Sequence, residues 1–278
     1  MIAAAAAFVI CGFWLWFSYR SVEAETGDMA WDVVVTGDSI IGKDRTDGPV
    51  NEYFEKYSGM TMLNGAFGGN CASVGEHADR YSFHEESINL YNLSKAICYR
   101  DFGVQWADLA ASQTKMEYFE EALKGLCSVD FRRTKFLMLS FGTNDYTNGR
   151  KTDDPDDPYN RETYGGALRC SIELLQETYP DLKIVLVTPP FCHLADREDC
   201  LKEEFGGGTL DQYVEVEKKI GAEYEGVYVI DAFWESGIDE SNYREYMEGG
   251  LHLNKAGREL YGRFLAEEMK KLSEEMNE

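Results

Sequence analysis

Basic residues are scarce in this sequence. Its 278 residues include 27 Lys and Arg against 50 Asp and Glu, which gives a formal net charge of −23 at pH 7. A protein that binds the backbone of a nucleic acid needs clustered basic side chains, so we expect no nucleic-acid partner. The acidic balance is compatible with a neutral substrate or with a soluble ectodomain, and it does not distinguish the two.

Two binding motifs are also missing. The sequence has no C-x-x-C pair, so a structural zinc site has no support. It has no G-x-x-x-x-G-K-[ST] loop either, which makes a flavodoxin-like nucleotide binder the least favoured interpretation. No Gly/Ser-rich linker and no repeat divides the chain after residue 28. We therefore predict one domain, residues 29–278, with an insertion at about 71–133.

Disulfide bonding stays open at this level. Of the seven cysteines, Cys11 lies in an apolar N-terminal run, and six remain. An even number allows pairing in an extracytoplasmic domain, and Cys192 and Cys200 are close enough in sequence to close a small loop. Buried free thiols in a reducing compartment are the alternative. The other four are Cys71, Cys98, Cys127 and Cys170.

The N-terminal segment differs in composition from the rest of the chain. Residues 2–17 carry no charge and end in a cluster of aromatic side chains. A run of this length and an aromatic belt are typical of a membrane anchor or an uncleaved signal, so we predict an anchor at 1–20 and a linker at 21–28. The expected localisation is membrane-anchored and extracytoplasmic, or secreted. A buried core helix is the alternative, and Arg20 alone does not orient the segment.

Buried strands alternate with amphipathic helices along the rest of the chain. Short apolar runs predict five strands, at 33–35, 60–63, 136–141, 184–187 and 227–230. Helical spacing predicts helices at 51–57, 88–97, 116–126, 162–179, 210–224 and after Asn254. This alternation indicates an α/β fold with a parallel sheet that is covered on both faces.

Polar turns follow three of these strands. The first strand runs into Gly37-Asp38-Ser39, the second into a glycine-rich turn at 64–69, and the third into Gly-Thr-Asn-Asp at 142–145. In a parallel sheet these turns meet at one edge, where ligands bind. His252 precedes the last helix, so the chain holds a serine, a base and amide donors for an oxyanion. We expect surface or structural roles for the remaining histidines, His77, His84 and His193.

In order and spacing, these four blocks resemble the SGNH (GDSL-type) hydrolase family. The resemblance covers roughly residue 31 to the C-terminus. It implies a three-layer α/β/α sandwich and ester hydrolysis through an acyl-enzyme without metal or cofactor. Ser39 matches the nucleophile, His252 the general base, and Asn144 an oxyanion donor beside the Ser39 N–H. The family's oxyanion glycine falls on Ala66, or on Gly65 if the register shifts by one residue.

One departure from the family pattern concerns the base. The family has an aspartate three residues before the histidine, where this chain has Gly249. Glu248, one residue further from the histidine, is one candidate for the orienting acid; the alternative is a backbone carbonyl, which would leave a Ser–His dyad. We therefore expect a serine esterase for a small carboxylic ester, with O-acetyl groups of a cell-surface glycan as one example. The alternatives are a lipase or thioesterase-type hydrolase, and a catalytically impaired binding protein. The sequence does not indicate the oligomeric state.

Overall fold

The computed structural model describes residues 27–75, 85–112 and 115–276. Its centre is a parallel sheet of five strands in the order β2-β1-β3-β4-β5. This strand order is that of flavodoxin-like folds, and the predicted α/β fold is confirmed. The strands are β1 (Val33–Gly37), β2 (Met62–Asn64), β3 (Phe136–Ser140), β4 (Lys183–Val187) and β5 (Val227–Ile230).

The central strands are apolar along their whole length because both faces of the sheet are covered. All five residues of β1 and all five of β3 are buried. Gly37 lies opposite Ser140 in the register of these two strands. A Cβ atom at Gly37 would lie 2.3 Å from the Ser140 carbonyl oxygen, so this close pairing requires glycine. The turns after β1 and β3 consequently start at the same level of the sheet.

Helices cover the sheet. In chain order they are α1 (Ser39–Gly42), α2 (Val50–Ser58), α3 (Glu85–Ile88), α4 (Leu90–Tyr99), α5 (Gly103–Ala111), α6 (Phe119–Ser128), α7 (Thr143–Thr147), α8 (Tyr164–Thr178), α9 (Leu210–Glu223), α10 (Ala232–Glu235), α11 (Tyr243–Tyr246) and α12 (Lys255–Glu275). Helix α2 packs against α12, and α8 packs against α4 and α9. A short antiparallel hairpin, β6 (Met247–Glu248) and β7 (His252–Leu253), precedes α12.

The connection between β2 and β3 is helical. It carries α3 to α6, where the sequence predicts helices at 88–97 and 116–126. Helix α5 is missed because only Gln105 and Leu109 are buried along it, which leaves a weak amphipathic pattern. Helix α6 begins at Phe119, since residues 117 and 118 form a turn that brings Tyr118 toward the sheet edge.

The predicted anchor at 1–20 and most of the linker lie outside the described residues. Within the described part of the chain, no helix combines the length and apolar character needed to cross a membrane. Of the cysteines in that part, Cys98, Cys127, Cys170, Cys192 and Cys200 are free thiols. Cys192 and Cys200 are nevertheless neighbours, since the Cys192 N–H donates a hydrogen bond of 3.4 Å to the Cys200 sulfur.

Candidate active site

Ser39 and His252 meet at the carboxyl edge of the sheet. The Ser39 Oγ and His252 Nε2 atoms are 3.0 Å apart, although 213 positions separate the two residues in sequence. Ser39 is the first residue of α1, directly after β1, and Asp38 caps that helix by accepting a 2.9 Å hydrogen bond from the Ile40 N–H. Asp38 is buried, and burial raises its pKa to about 7. The edge predicted from the strand ends therefore brings the predicted nucleophile and the predicted base into hydrogen-bond contact.

His252 begins the second strand of the β6–β7 hairpin, opposite Glu248. Burial lowers the pKa of His252 below 6.5, and the Lys43 ammonium lowers it further, whereas Asp44 and Glu248 oppose this shift. A lowered pKa keeps the imidazole neutral at pH 7, which is the form that accepts a proton.

The second ring nitrogen of His252, Nδ1, is where an orienting acid would bind in the described structure, and no acid lies there. Within the described residues, His252 Nδ1 has no hydrogen-bond partner. The Glu248 side chain is 63% exposed, and its Oε2 lies 3.5 Å from Lys43 Nζ. Gly249 has a φ of +59°, and a Cβ atom placed there would meet nothing within 4 Å. The structure thus places Glu248 beside the histidine strand without a hydrogen bond to the ring.

Most N–H groups of the turn at 64–69 already donate hydrogen bonds to other parts of the protein or to the turn itself. The Gly65 N–H donates to the Val35 carbonyl at 2.8 Å, and the Ala66 N–H donates to Asn64 Oδ1 at 3.2 Å. Neither of the two predicted backbone donors of this turn is therefore directed at a substrate.

Other donors at this edge are unoccupied. Within the described chain, the N–H groups of Ser39 and Gly69 have no acceptor. The Asn144 side-chain amide donates one hydrogen bond of 3.0 Å to the Asn70 carbonyl, which leaves its second N–H available. Sequence reasoning missed Gly69 because it counted two residues on from Asn64. The consecutive glycines at 68 and 69 are the signal that would have found it.

Asp145 ties the Asn144 helix to the same turn region. Its two carboxylate oxygens accept hydrogen bonds from the Ala72 and Ser73 N–H groups, at 2.8 and 3.0 Å. The residue is fully buried, and burial raises its pKa. Asn144 and the turn that bears Gly69 are thereby held together from two neighbouring positions on α7.

Comparison with protein families identifies the family of this chain. Residues 99–260, which are 162 of the 278 in the chain, match the GDSL-like Lipase/Acylhydrolase family. The chain belongs to this family. The matched segment contains Asn144 and His252, whereas Ser39 lies outside it. A comparison with curated proteins gives no match.

Solved structures share the fold of this GDSL-like protein at low sequence identity. A protein from Lactobacillus plantarum is 15% identical, with a TM-score of 0.58, over 87% of this chain and 98% of that chain. A "possible lipase" from Chitinophaga pinensis is 16% identical, with a TM-score of 0.54, over 87% and 98%. A carbohydrate acetylesterase from Sinorhizobium meliloti is 14% identical, with a TM-score of 0.50, over 88% and 100%. These similarities support the fold.

In this GDSL-like protein a half-buried arginine connects the elements around Ser39. Arg45 donates to the carbonyls of Gly42, Asn64 and Ala66, at 2.9, 2.6 and 2.8 Å. It thus joins the end of α1 to the turn after β2. The planar guanidinium suits such a site because it presents several donors in fixed directions.

Tyr118, in the predicted insertion, also lies at this edge. The Arg45 guanidinium carbon lies 4.8 Å from the centroid of its ring. Its hydroxyl accepts a 2.9 Å hydrogen bond from the Gly68 N–H, and burial raises its pKa to about 12, which keeps it protonated. Sequence analysis singled out neither Arg45 nor Tyr118, because their partners are backbone atoms that come together only in the fold.

Among the described residues, no cluster of His, Cys, Asp and Glu could hold a metal ion. His77 and His84 lie outside the described part of the chain. His193 stacks on Tyr243, with ring centroids 4.9 Å apart.

Proposed function

We propose that this protein is a serine esterase that cleaves a small carboxylic ester through an acyl-enzyme on Ser39. The observation that carries the proposal is the 3.0 Å contact between Ser39 Oγ and His252 Nε2 at the carboxyl edge of the sheet. Membership of a family of lipases and acylhydrolases supports ester hydrolysis as the reaction class.

In the first half-reaction His252 Nε2 takes the Ser39 proton while Oγ attacks the ester carbonyl carbon. The carbonyl oxygen becomes an oxyanion, for which the free donors are the N–H groups of Ser39 and Gly69 and the second amide hydrogen of Asn144. The tetrahedral intermediate collapses when its bond to the alcohol oxygen breaks, and His252 gives its proton to that oxygen.

In the second half-reaction water replaces the alcohol. His252 removes a proton from the water, which attacks the acyl carbon, and the carboxylic acid leaves as Ser39 regains its proton. The lowered pKa of His252 favours the neutral base that starts both half-reactions. No step of this sequence requires a cofactor.

The base works as a Ser–His dyad in this proposal. With Gly249 in the acid position and no partner on Nδ1 in the described residues, no carboxylate selects the tautomer or stabilises the imidazolium. In a serine protease, loss of the correct triad acid costs about 10⁴ in kcat. The same observation favours a second candidate, a catalytically impaired protein that binds an ester in the crevice without efficient turnover.

The natural substrate and location belong to the same proposal. We favour a short acyl group, such as O-acetyl on a glycan, over a long lipid or thioester chain. The fold that the chain shares with a carbohydrate acetylesterase is compatible with this substrate class. The uncharged run at 2–17 supports an extracytoplasmic protein, anchored or secreted.

Hydrolysis of p-nitrophenyl acetate by the full-length protein tests the reaction. We expect Ser39→Ala to abolish hydrolysis and labelling by a fluorophosphonate probe, whereas Ser58→Ala, at the end of α2, leaves both intact. Equal hydrolysis by wild type and Ser39→Ala would refute the assignment. A series of p-nitrophenyl esters from acetate to palmitate separates an acetylesterase from a lipase.

A further inference from the structure

A cavity of about 360 Å³ lies behind the histidine hairpin. Gly249 and Gly250 form part of its wall, and the His193 N–H donates a 2.8 Å hydrogen bond to the Gly250 carbonyl. Gly250 precedes His252 by two residues, so their Cα atoms are at most about 7 Å apart. The cavity therefore borders the part of the hairpin that is next to His252 in sequence.

The cavity is open at Gly249 because that residue has no side chain. An added Cβ atom would meet nothing within 4 Å. An aspartate at this position would fill part of the space next to the hairpin. The departure from the family pattern thus creates room for a ligand group.

Arg244 provides a positive charge in the cavity wall. Its guanidinium carbon lies 4.5 Å from the centroid of the Tyr243 ring, and its side chain is exposed. Within the described residues it forms no ion pair, although the chain carries a net charge of −23. An exposed guanidinium held on an aromatic ring can bind a carboxylate through two parallel hydrogen bonds.

His193 adds a second group that lacks a partner. Its ring is nearly parallel to that of Tyr243, with an interplanar angle of 10°. Its Nδ1 atom is buried and makes no hydrogen bond within the described structure. Because a buried polar atom without a partner is costly, a ligand oxygen at this nitrogen would be stabilising.

Asp196 limits what the cavity can accept. It lines the cavity with a φ of +60°, a backbone conformation that is strained for a residue other than glycine and is frequent at functional sites. Its carboxylate can accept a hydrogen bond from a ligand hydroxyl and would repel a ligand carboxylate placed beside it. The lining therefore suits a ligand whose carboxylate lies at Arg244 and whose hydroxyl lies at Asp196.

We propose that this cavity is a subsite for a carboxylate on the alcohol part of the ester, held by Arg244 and His193. The alcohol side is indicated because His252 protonates the leaving alcohol, and the cavity lies on the His252 hairpin. As a substrate subsite it rests on the function proposed above. The substrate class is then an acylated hydroxy acid, of which an acetylated sugar acid is one form.

Two rigid probes test the subsite during catalysis. 4-Acetoxybenzoate carries a carboxylate on its alcohol part, and 4-acetoxybenzamide is its neutral counterpart. With each rate divided by the uncatalysed rate, we expect kcat/KM to favour the carboxylate about tenfold, as for a charge-assisted hydrogen bond. The ratio should fall to about one in Arg244→Gln and decrease in His193→Gln. Arg132→Gln, which precedes β3 at the opposite edge of the sheet, should keep the wild-type ratio.

Binding gives a readout that does not depend on turnover. Calorimetry of Ser39→Ala with 4-hydroxybenzoate should show binding that is about tenfold weaker for 4-hydroxybenzamide and is lost with Arg244→Gln added. Equal normalised rates for the two esters, a preference that persists in Arg244→Gln, or equal affinities for the two phenols would each overturn the subsite. Loss of Ser39-dependent hydrolysis alone would overturn only the esterase, because the binding comparison would still stand.

Discussion

The two halves of the candidate active site are held in place very differently. On the nucleophile side, Arg45 bonds three carbonyls, and Asp145 accepts two backbone hydrogen bonds. On the base side, His252 sits on a hairpin of two-residue strands, and its Nδ1 has no partner in the described chain. The fold uses several polar contacts to position the proposed nucleophile and oxyanion donors, whereas the His252 ring makes one side-chain hydrogen bond within the described residues.

The largest effect on activity should come from removing an oxyanion donor in the Ser39 half of the site. Asn144→Ala deletes the side-chain amide proposed to bind the oxyanion, and we expect kcat to fall about 10²- to 10³-fold with little change in KM. Steady-state kinetics with p-nitrophenyl acetate measures this. Asn92→Ala, on α4, is the control. A change confined to KM would instead place Asn144 in ground-state binding.

The hydrogen bonds of Arg45 should contribute to the stability of the fold. Arg45→Met leaves the carbonyls of Gly42, Asn64 and Ala66 without their donor, and we expect a loss of about 3 kcal/mol in the free energy of unfolding. Urea denaturation measures the loss. Arg132→Gln serves as a control at an exposed arginine. A loss below about 0.5 kcal/mol would mean that water replaces the guanidinium without cost, and the contrast between the two halves would disappear.

Introducing an acid at position 249 should increase the activity that depends on His252. Gly249→Asp places a carboxylate where a Cβ atom has free space, and aspartate tolerates the φ of +59° better than most residues. We expect kcat to rise about tenfold, a part of the about 10⁴ that a triad acid can contribute. Gly249→Asn, which matches the shape without the charge, should give no increase. An unchanged kcat in the aspartate variant would show that the dyad is already sufficient.

The smallest effect concerns pH. Activity should rise with pH as His252 loses its proton, with a midpoint below 6.5 because burial lowers its pKa. Glu248 favours the protonated ring, so Glu248→Gln should move the midpoint to lower pH, and Lys43→Met should move it to higher pH. Both side chains are partly exposed, which limits each shift to about 0.5 pH unit.

The pH dependence of kcat/KM measures both shifts, with Lys124→Met as a control at a distant exposed pair. Shifts in the same direction for the two variants would contradict this electrostatic account of the base.

Local signals were enough for much of the fold. All five predicted strands occur, because continuous apolar β-branched runs have few alternatives to a strand covered on both faces. The turn at Gly37-Asp38-Ser39 could be predicted because glycine and a capping aspartate act within a few residues of the serine. The start of the helix after Asn254 could be predicted for the same reason, since the Asn254 side chain caps the helix by accepting a hydrogen bond from the Gly257 N–H.

The sequence by itself determined the strands, the nucleophile turn and the order of the four motifs, because these depend on side chains and backbone that are close in the chain. Only the tertiary structure decided which N–H groups stay free. Val35 and Asn64 occupy those of Gly65 and Ala66, and Gly69 is left available. The tertiary structure also decided the hydrogen bonds of Arg45 and the cavity behind Gly249, because each joins groups that are distant in sequence.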